Sequence, residues 1–172
     1  MTAEPGLRLA LDQNFPVSLL RAIRTYLPSE ILVNSLYEID PRLSDLDDRP
    51  LIIALYQMGW HGLITNNYKM LNVAEEIAAM VKTKVVVVAI ESRGHDPLRA
   101  AGALLLELPG LIGRVRPGKS NIFLLRYAQR PPREAWKYFQ RAAERLHRPA
   151  DSLWQEVGVT DEELARPVLD EP

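Results

Sequence analysis

The chain has 172 residues, enough for one well-buried domain and too few for two ordinary ones. At 47% hydrophobic and 25% charged it has a globular composition, which excludes a disordered or fibrous chain. It carries a net charge of −1 and no cysteine, so disulfides, thiolate chemistry and cysteine-ligated zinc are excluded.

Strand-like and helix-like segments alternate along the chain. Residues 7–11 (LRLAL) read as a first strand, with Asp12-Gln13-Asn14 as the turn after it. Pro16 can open a helix in which Leu19, Leu20, Ile23 and Leu27 recur at helical spacing, and Pro28-Ser29 ends it. Residues 30–33 read as a second strand, followed by a polar acidic loop through Pro50. Asp47 or Asp48 can cap the next helix, which has Pro50 in its first turn and Gly59 as its stop. Residues 62–65 form a third strand, with Asn66-Asn67 as a turn. A helix over 68–82, a strong strand over 83–90 and a helix over 96–108 ended by Pro109-Gly110 come next. A fifth strand over 121–126 and a basic helix over 133–147 complete the pattern.

Strands alternating with helices predict an α/β fold, with a mostly parallel central sheet of about five strands and helices on both faces. In such sheets ligands bind outside the carboxyl ends of the strands. Asp12 follows the first strand, Asn67 the third, and Asp48 begins the helix leading into the third. Each Asp alone is equally well a turn residue or a helix cap. Together at one sheet edge, two carboxylates and an amide oxygen suit a hard divalent cation, Mg²⁺ or Mn²⁺.

The segment LALDQNFP resembles the opening of PIN-like nucleases, in the branch that begins with an LDENLP-type segment. DRPLIIALYQMGWHGLITNNYKML is similar to the family's second block: an Asp starting a helix, a Gly eleven residues later, and a strand ending in Thr-x-Asp/Asn. The resemblance covers about residues 7–90. It implies a PIN-like three-layer sandwich with Mg²⁺- or Mn²⁺-dependent endoribonuclease activity on single-stranded or structured RNA. Commonly such a protein is the VapC-type toxin of a toxin–antitoxin pair, with a cognate antitoxin and often a homodimer. Asp12 and Asp48 fall on family acidic positions and would hold the metal, with Asn67 where the family often has Asp. Glu38, Asp40 and Asp45 compete for the remaining acid, and Glu38 is preferred as the further catalytic residue. Asn67 lowers the charge of the site, and Lys69 stands near where many relatives carry another acid. A second expectation is therefore a degenerate PIN-like domain that binds nucleic acid or a protein without cleaving. A phosphoacceptor receiver is a third, but it requires an Asp where Thr65-Asn66-Asn67 ends the third strand.

The small net charge conceals a division. Residues 113–148 carry ten basic and two acidic groups, whereas residues 149–172 carry seven acids against Arg166. This suggests a PIN-like domain over 1–148 and an acidic tail over 149–172, either a short helix or mobile. Lys119, Arg133, Lys137, Arg141 and Arg145 are candidate RNA phosphate contacts, the last four on a stripe shared with Arg130 and Arg148. Trp136 and Phe139 are expected to pack inward, and the tail either to fold on the stripe or to contact another subunit. Residues 113–120 match the P-loop pattern, but a strand follows them where the phosphate-binding mechanism needs a helix. They are read as a basic loop. The three histidines lack metal-ligand spacing. The N-terminus lacks signal-peptide character and no apolar run spans a bilayer, so a cytoplasmic location without membrane association is expected.

Overall fold

The computed structural model describes residues 6–15, 17–91, 97–111, 114–115, 119, 121–125 and 132–169. Expectations placed on Pro16, His95, Gly113 and Arg130 lie outside those residues. A six-stranded sheet forms the centre, with β1 (Leu7–Leu11), β2 (Ile31–Ser35), β3 (Gly62–Thr65), β4 (Val86–Ile90), β5 (Asn121–Leu125) and β6 (Arg133–Glu134). The strand order is β2-β1-β3-β4-β5-β6. The first five strands are parallel and β6 is antiparallel to β5.

Side-chain alternation explains how both faces are covered. Leu9 and Leu11, Ile64, Val86 and Val88, and Phe123 and Leu125 point to one face, where α1 (Val17–Arg24) and α5 (Pro97–Leu111) pack. Ala10, Leu63, Val87 with Ala89, and Ile122 point to the other. There they meet α3 (Asp48–Gln57), α4 (Ala74–Thr83), α6 (Ala135–Arg145) and α7 (Ala150–Val157), giving a three-layer sandwich. The short α2 (Leu36–Ile39) and α8 (Asp161–Ala165) complete the helices. Gly62 is needed where β3 runs between its neighbours. A Cβ there would lie 2.7 Å from both the Leu9 side chain and the Val86 carbonyl oxygen. Arg24 covers part of the edge strand β2, donating to the Val33 carbonyl at 2.7 Å and to the Asn34 side chain at 2.9 Å.

Several boundaries differ from expectation for identifiable reasons. The 68–82 segment is a 3₁₀ turn (Tyr68–Asn72) followed by α4, with the break at Val73, and Thr83 ends α4 instead of starting β4. Helix α5 runs through Pro109 to Leu111. Proline forfeits one backbone hydrogen bond near the helix end, while burial of Leu108 and Leu111 holds the last turn in place. Residues 133–134 are a short strand, so the basic helix begins at Ala135. The strand β5 directly after Ser120 agrees with the basic-loop reading of the P-loop-like string.

The acidic tail is part of the same core. Leu153 and Val159 are buried, and Trp154 meets Trp136 and Phe139 edge-on at centroid distances of 5.4 and 5.3 Å. Its acids reach three different elements: Glu156 pairs with Arg148, Asp161 with Lys82 and Glu163 with Arg49. Of the basic stripe, Arg148 is taken up in these pairs. Among the described residues no helix is long and apolar enough to cross a membrane.

Candidate functional site

The strand order reverses at β1. Strand β2 lies on one side of it and β3 on the other, so the carboxyl ends of β1 and β3 flank a topological switch point. Asp12 and Thr65 stand at these two ends. Asp12 is buried, its backbone N–H donates to the Ile64 carbonyl at 2.9 Å, and its Oδ2 accepts from the Thr65 hydroxyl at 2.7 Å. Asn14 donates to the same oxygen at 3.2 Å. The turn is thus built so that one carboxylate oxygen, Oδ2, is held by two side-chain donors.

Thr65 organises both sides of the site. Its hydroxyl donates to Asp12 and accepts from the Asn67 backbone N–H at 2.9 Å. The Asn67 amide nitrogen in turn donates to Asp48 Oδ2 at 2.8 Å. A continuous hydrogen-bonded chain, Asp12–Thr65–Asn67–Asp48, therefore joins the ends of β1 and β3 to the start of α3. Asp47 occupies the cap position of α3 without a side-chain cap bond, and Asp48 is its first residue. Gly59, at φ +71°, ends that helix just after its C-cap, which favours glycine.

Burial raises the Asp48 pKa, and the negative charges of Asp12 and Asp47 add to the rise, while the Asn67 hydrogen bond opposes it. A carboxylate that the sequence reading did not single out belongs to the same electrostatic group. Glu76, in the first turn of α4, is pushed up to about 7 by burial and then by Asp48, Glu75 and Asp47. Its Oε2 is buried without a hydrogen-bond partner. The signal for it was available: α4 descends from the crevice edge after β3, so acids in its first turn lie near the site.

Glu38 has a different position from the one expected. Its carboxylate takes two hydrogen bonds from Arg24, at 3.1 and 2.5 Å, and one from the Ser35 backbone N–H. Arg24 first, then Ser35, brings its pKa down to about 2. It closes a capping box on α2 and contributes no bond to the chain of site residues. Ser35→Ala, which removes the reciprocal bond to the Glu38 N–H, is expected to lower stability by about 1 kcal/mol in urea denaturation.

The cationic residues occupy separate places. Lys119, Lys137 and Arg141 are exposed and Arg133 is half-buried in β6. Arg145 donates to the Asn72 side chain at 2.7 Å, which brings the end of α6 against the 3₁₀ turn that follows Asn67. Trp136 and Phe139 stack on each other at 5.2 Å within the core, as expected.

Asp12, Asp48 and Asn67 carry oxygen atoms of the kind a hard divalent cation takes as ligands. Among the described residues no three His, Asp or Glu side chains form a protein-only metal cage. Mg²⁺ typically uses one or two carboxylates together with several waters, so this donor set is adequate for it. The mutual repulsion around Asp48 is what such a cation would relieve. No family model matches the chain, and no curated protein or solved structure is significantly similar to it.

Proposed function

We propose that this chain is a Mg²⁺- or Mn²⁺-dependent endoribonuclease of PIN-like type, the cytoplasmic toxin of a toxin–antitoxin pair. The observation that carries the reading is the chain Asp12–Thr65–Asn67–Asp48 at the switch point of the sheet. Asp12 and Asp48 would hold the cation and Asn67 would orient a ligand water or supply an oxygen. A cation so placed polarises a phosphodiester and lowers the pKa of a bound water. Thr65 fixes the orientation of the Asp12 carboxylate, and the Asn67 N–H₂ that of Asp48. The exposed cations of α6 would hold the RNA backbone. Its end is tied by Arg145 to the turn beside Asn67, which supports a path from that helix to the site.

Incubation with single-stranded and structured RNAs in Mg²⁺ or Mn²⁺, with chelator controls, tests the proposal. Cation-dependent cleavage by the wild type supports it, and absence of cleavage on every RNA counts against it. Lys137→Ala and Arg141→Ala should each reduce the slope of log affinity against log salt by about 0.7 for a single strand. Mn²⁺ affinity should be unchanged in both. An unaltered salt slope would remove α6 from the RNA path. Co-purification with a small acidic protein encoded beside this chain would support the toxin assignment.

One observation favours a second reading, a domain that binds RNA or a protein without cleaving it. Position 67 presents an amide whose N–H₂ already satisfies Asp48, so the site is less negative than three carboxylates would make it. RNA binding with no cation-dependent cleavage would select this alternative.

A further inference from the structure

Arg49 follows Asp48 at the start of α3, and its guanidinium is engaged on all sides. Nε and Nη2 donate to the two Glu163 oxygens at 2.9 and 2.7 Å, a bidentate pair. Nη1 donates at 2.9 Å to the Glu75 carbonyl and at 2.9 Å to the Val157 carbonyl. One side chain therefore ties together the first turn of α3, the first turn of α4, the end of α7 and the middle of α8. Its two site-side anchors are the immediate neighbours in sequence of Asp48 and Glu76. The guanidinium is mostly shielded, with 22% side-chain exposure against 37% for Glu163, so the pair is partly removed from solvent screening.

The C-terminal segment has a second attachment that serves as an internal comparison. At the other end of α3, the Gln57 amide nitrogen donates to the Leu164 and Arg166 carbonyls, and its oxygen accepts from the Val168 N–H. Gln57 holds the same segment but lies far along the helix from Asp48. An attachment that merely stabilised the segment would need neither end in particular. Of these two attachments, the Arg49 end touches both helices that carry the site acids.

We propose that Arg49 is a positioning residue, and that Glu163 acts through it to set the placement of Asp48 and Glu76 at the crevice. The C-terminal helices are then a clasp on the candidate site rather than an appended tail. Two like-charged groups in adjacent helix starts tend to splay the helices apart, and the Arg49 bridge opposes that separation. The part of this inference that concerns a cation rests on the metal-site reading above.

Glu163→Gln and Arg49→Gln in the full chain test it, with Gln57→Ala for comparison. Two readouts are used: Mn²⁺ affinity by calorimetry, and hydrogen exchange at the Leu51 and Ile77 amides. These amides close the first turns of α3 and α4 onto the Asp47 and Val73 carbonyls. Both site-end variants should weaken Mn²⁺ binding by about tenfold, the scale of groups that orient metal ligands. Exchange at Leu51 and Ile77 should quicken in both. Gln57→Ala should lower the Tm while leaving Mn²⁺ affinity and those two amides unchanged. The proposal is overturned if Glu163→Gln leaves the exchange of both amides at wild-type rates, or if Gln57→Ala alters them equally. If the wild type binds no Mn²⁺, the metal reading fails on its own, and the exchange comparison still decides whether Arg49 positions the two helices.

Discussion

Asp12→Ala is expected to abolish cation-dependent RNA cleavage, lowering the rate by about a thousandfold while the protein stays folded. The size follows from the several kcal/mol of charge stabilisation that a positioned divalent cation supplies, each 1.4 kcal/mol being about tenfold in rate. Asp12 combines burial at the end of β1 with a fixed orientation from Thr65, so a replacement side chain cannot reach the same point from another rotamer. The fold should tolerate the change. Removing the carboxylate strands the Thr65 hydroxyl, yet it also removes one of the charges that raise the Asp48 pKa. These two effects oppose each other. Single-turnover cleavage in saturating Mn²⁺ together with urea denaturation of both proteins checks the expectation. Retained cleavage in Asp12→Ala would place the chemistry elsewhere on the chain.

The location of the candidate site was legible because it depends on few features: where β1 and β3 end and where α3 begins. Residues 62–65 read as a strand and formed one, and Gly59 stopped α3 where a positive φ was required. Glu38 was preferred because the resemblance calls for a further acid after the second strand, whereas Ser35-x-x-Glu38 is the pattern of a capping box. That local pattern was visible and outweighed the expectation. The C-terminal segment was harder. Its acids suggested a tail that is a short helix or mobile, but Leu153 and Val159 join the core, and Trp154 packs on Trp136 and Phe139 of α6. Net charge describes the exposed face of such a segment and says little about its buried one. Arg49 and Glu163, 114 positions apart, could be paired only once the tertiary structure brought them together.

The apo-protein should lose stability as pH rises from about 5 to 8, and Glu76→Gln should remove much of that loss. In the folded state Glu76 titrates at about 7 against an ordinary value of 4.5, so the native protein holds this proton more tightly than the unfolded chain. A raised carboxyl pKa contributes stability that is complete below the unfolded value and is lost as pH climbs through the folded one. Asp48 is shifted in the same direction and reinforces the trend. Gln is a neutral near-isostere of the protonated acid, so the variant should match wild type at pH 4.5. At pH 8 it should be more stable by about 1 to 2 kcal/mol, the full linkage being reduced because Glu76 is partly exposed. Urea denaturation at the two pH values measures the difference. Mn²⁺ at pH 8 should narrow it by stabilising the wild type, since a cation near Asp48 offsets the same repulsion that protonation of Glu76 relieves. Equal stability of the two proteins at pH 8 without cation would mean that neither burial nor the neighbouring carboxylates raise the Glu76 pKa, and the acidic group would then shrink to Asp12, Asp47 and Asp48.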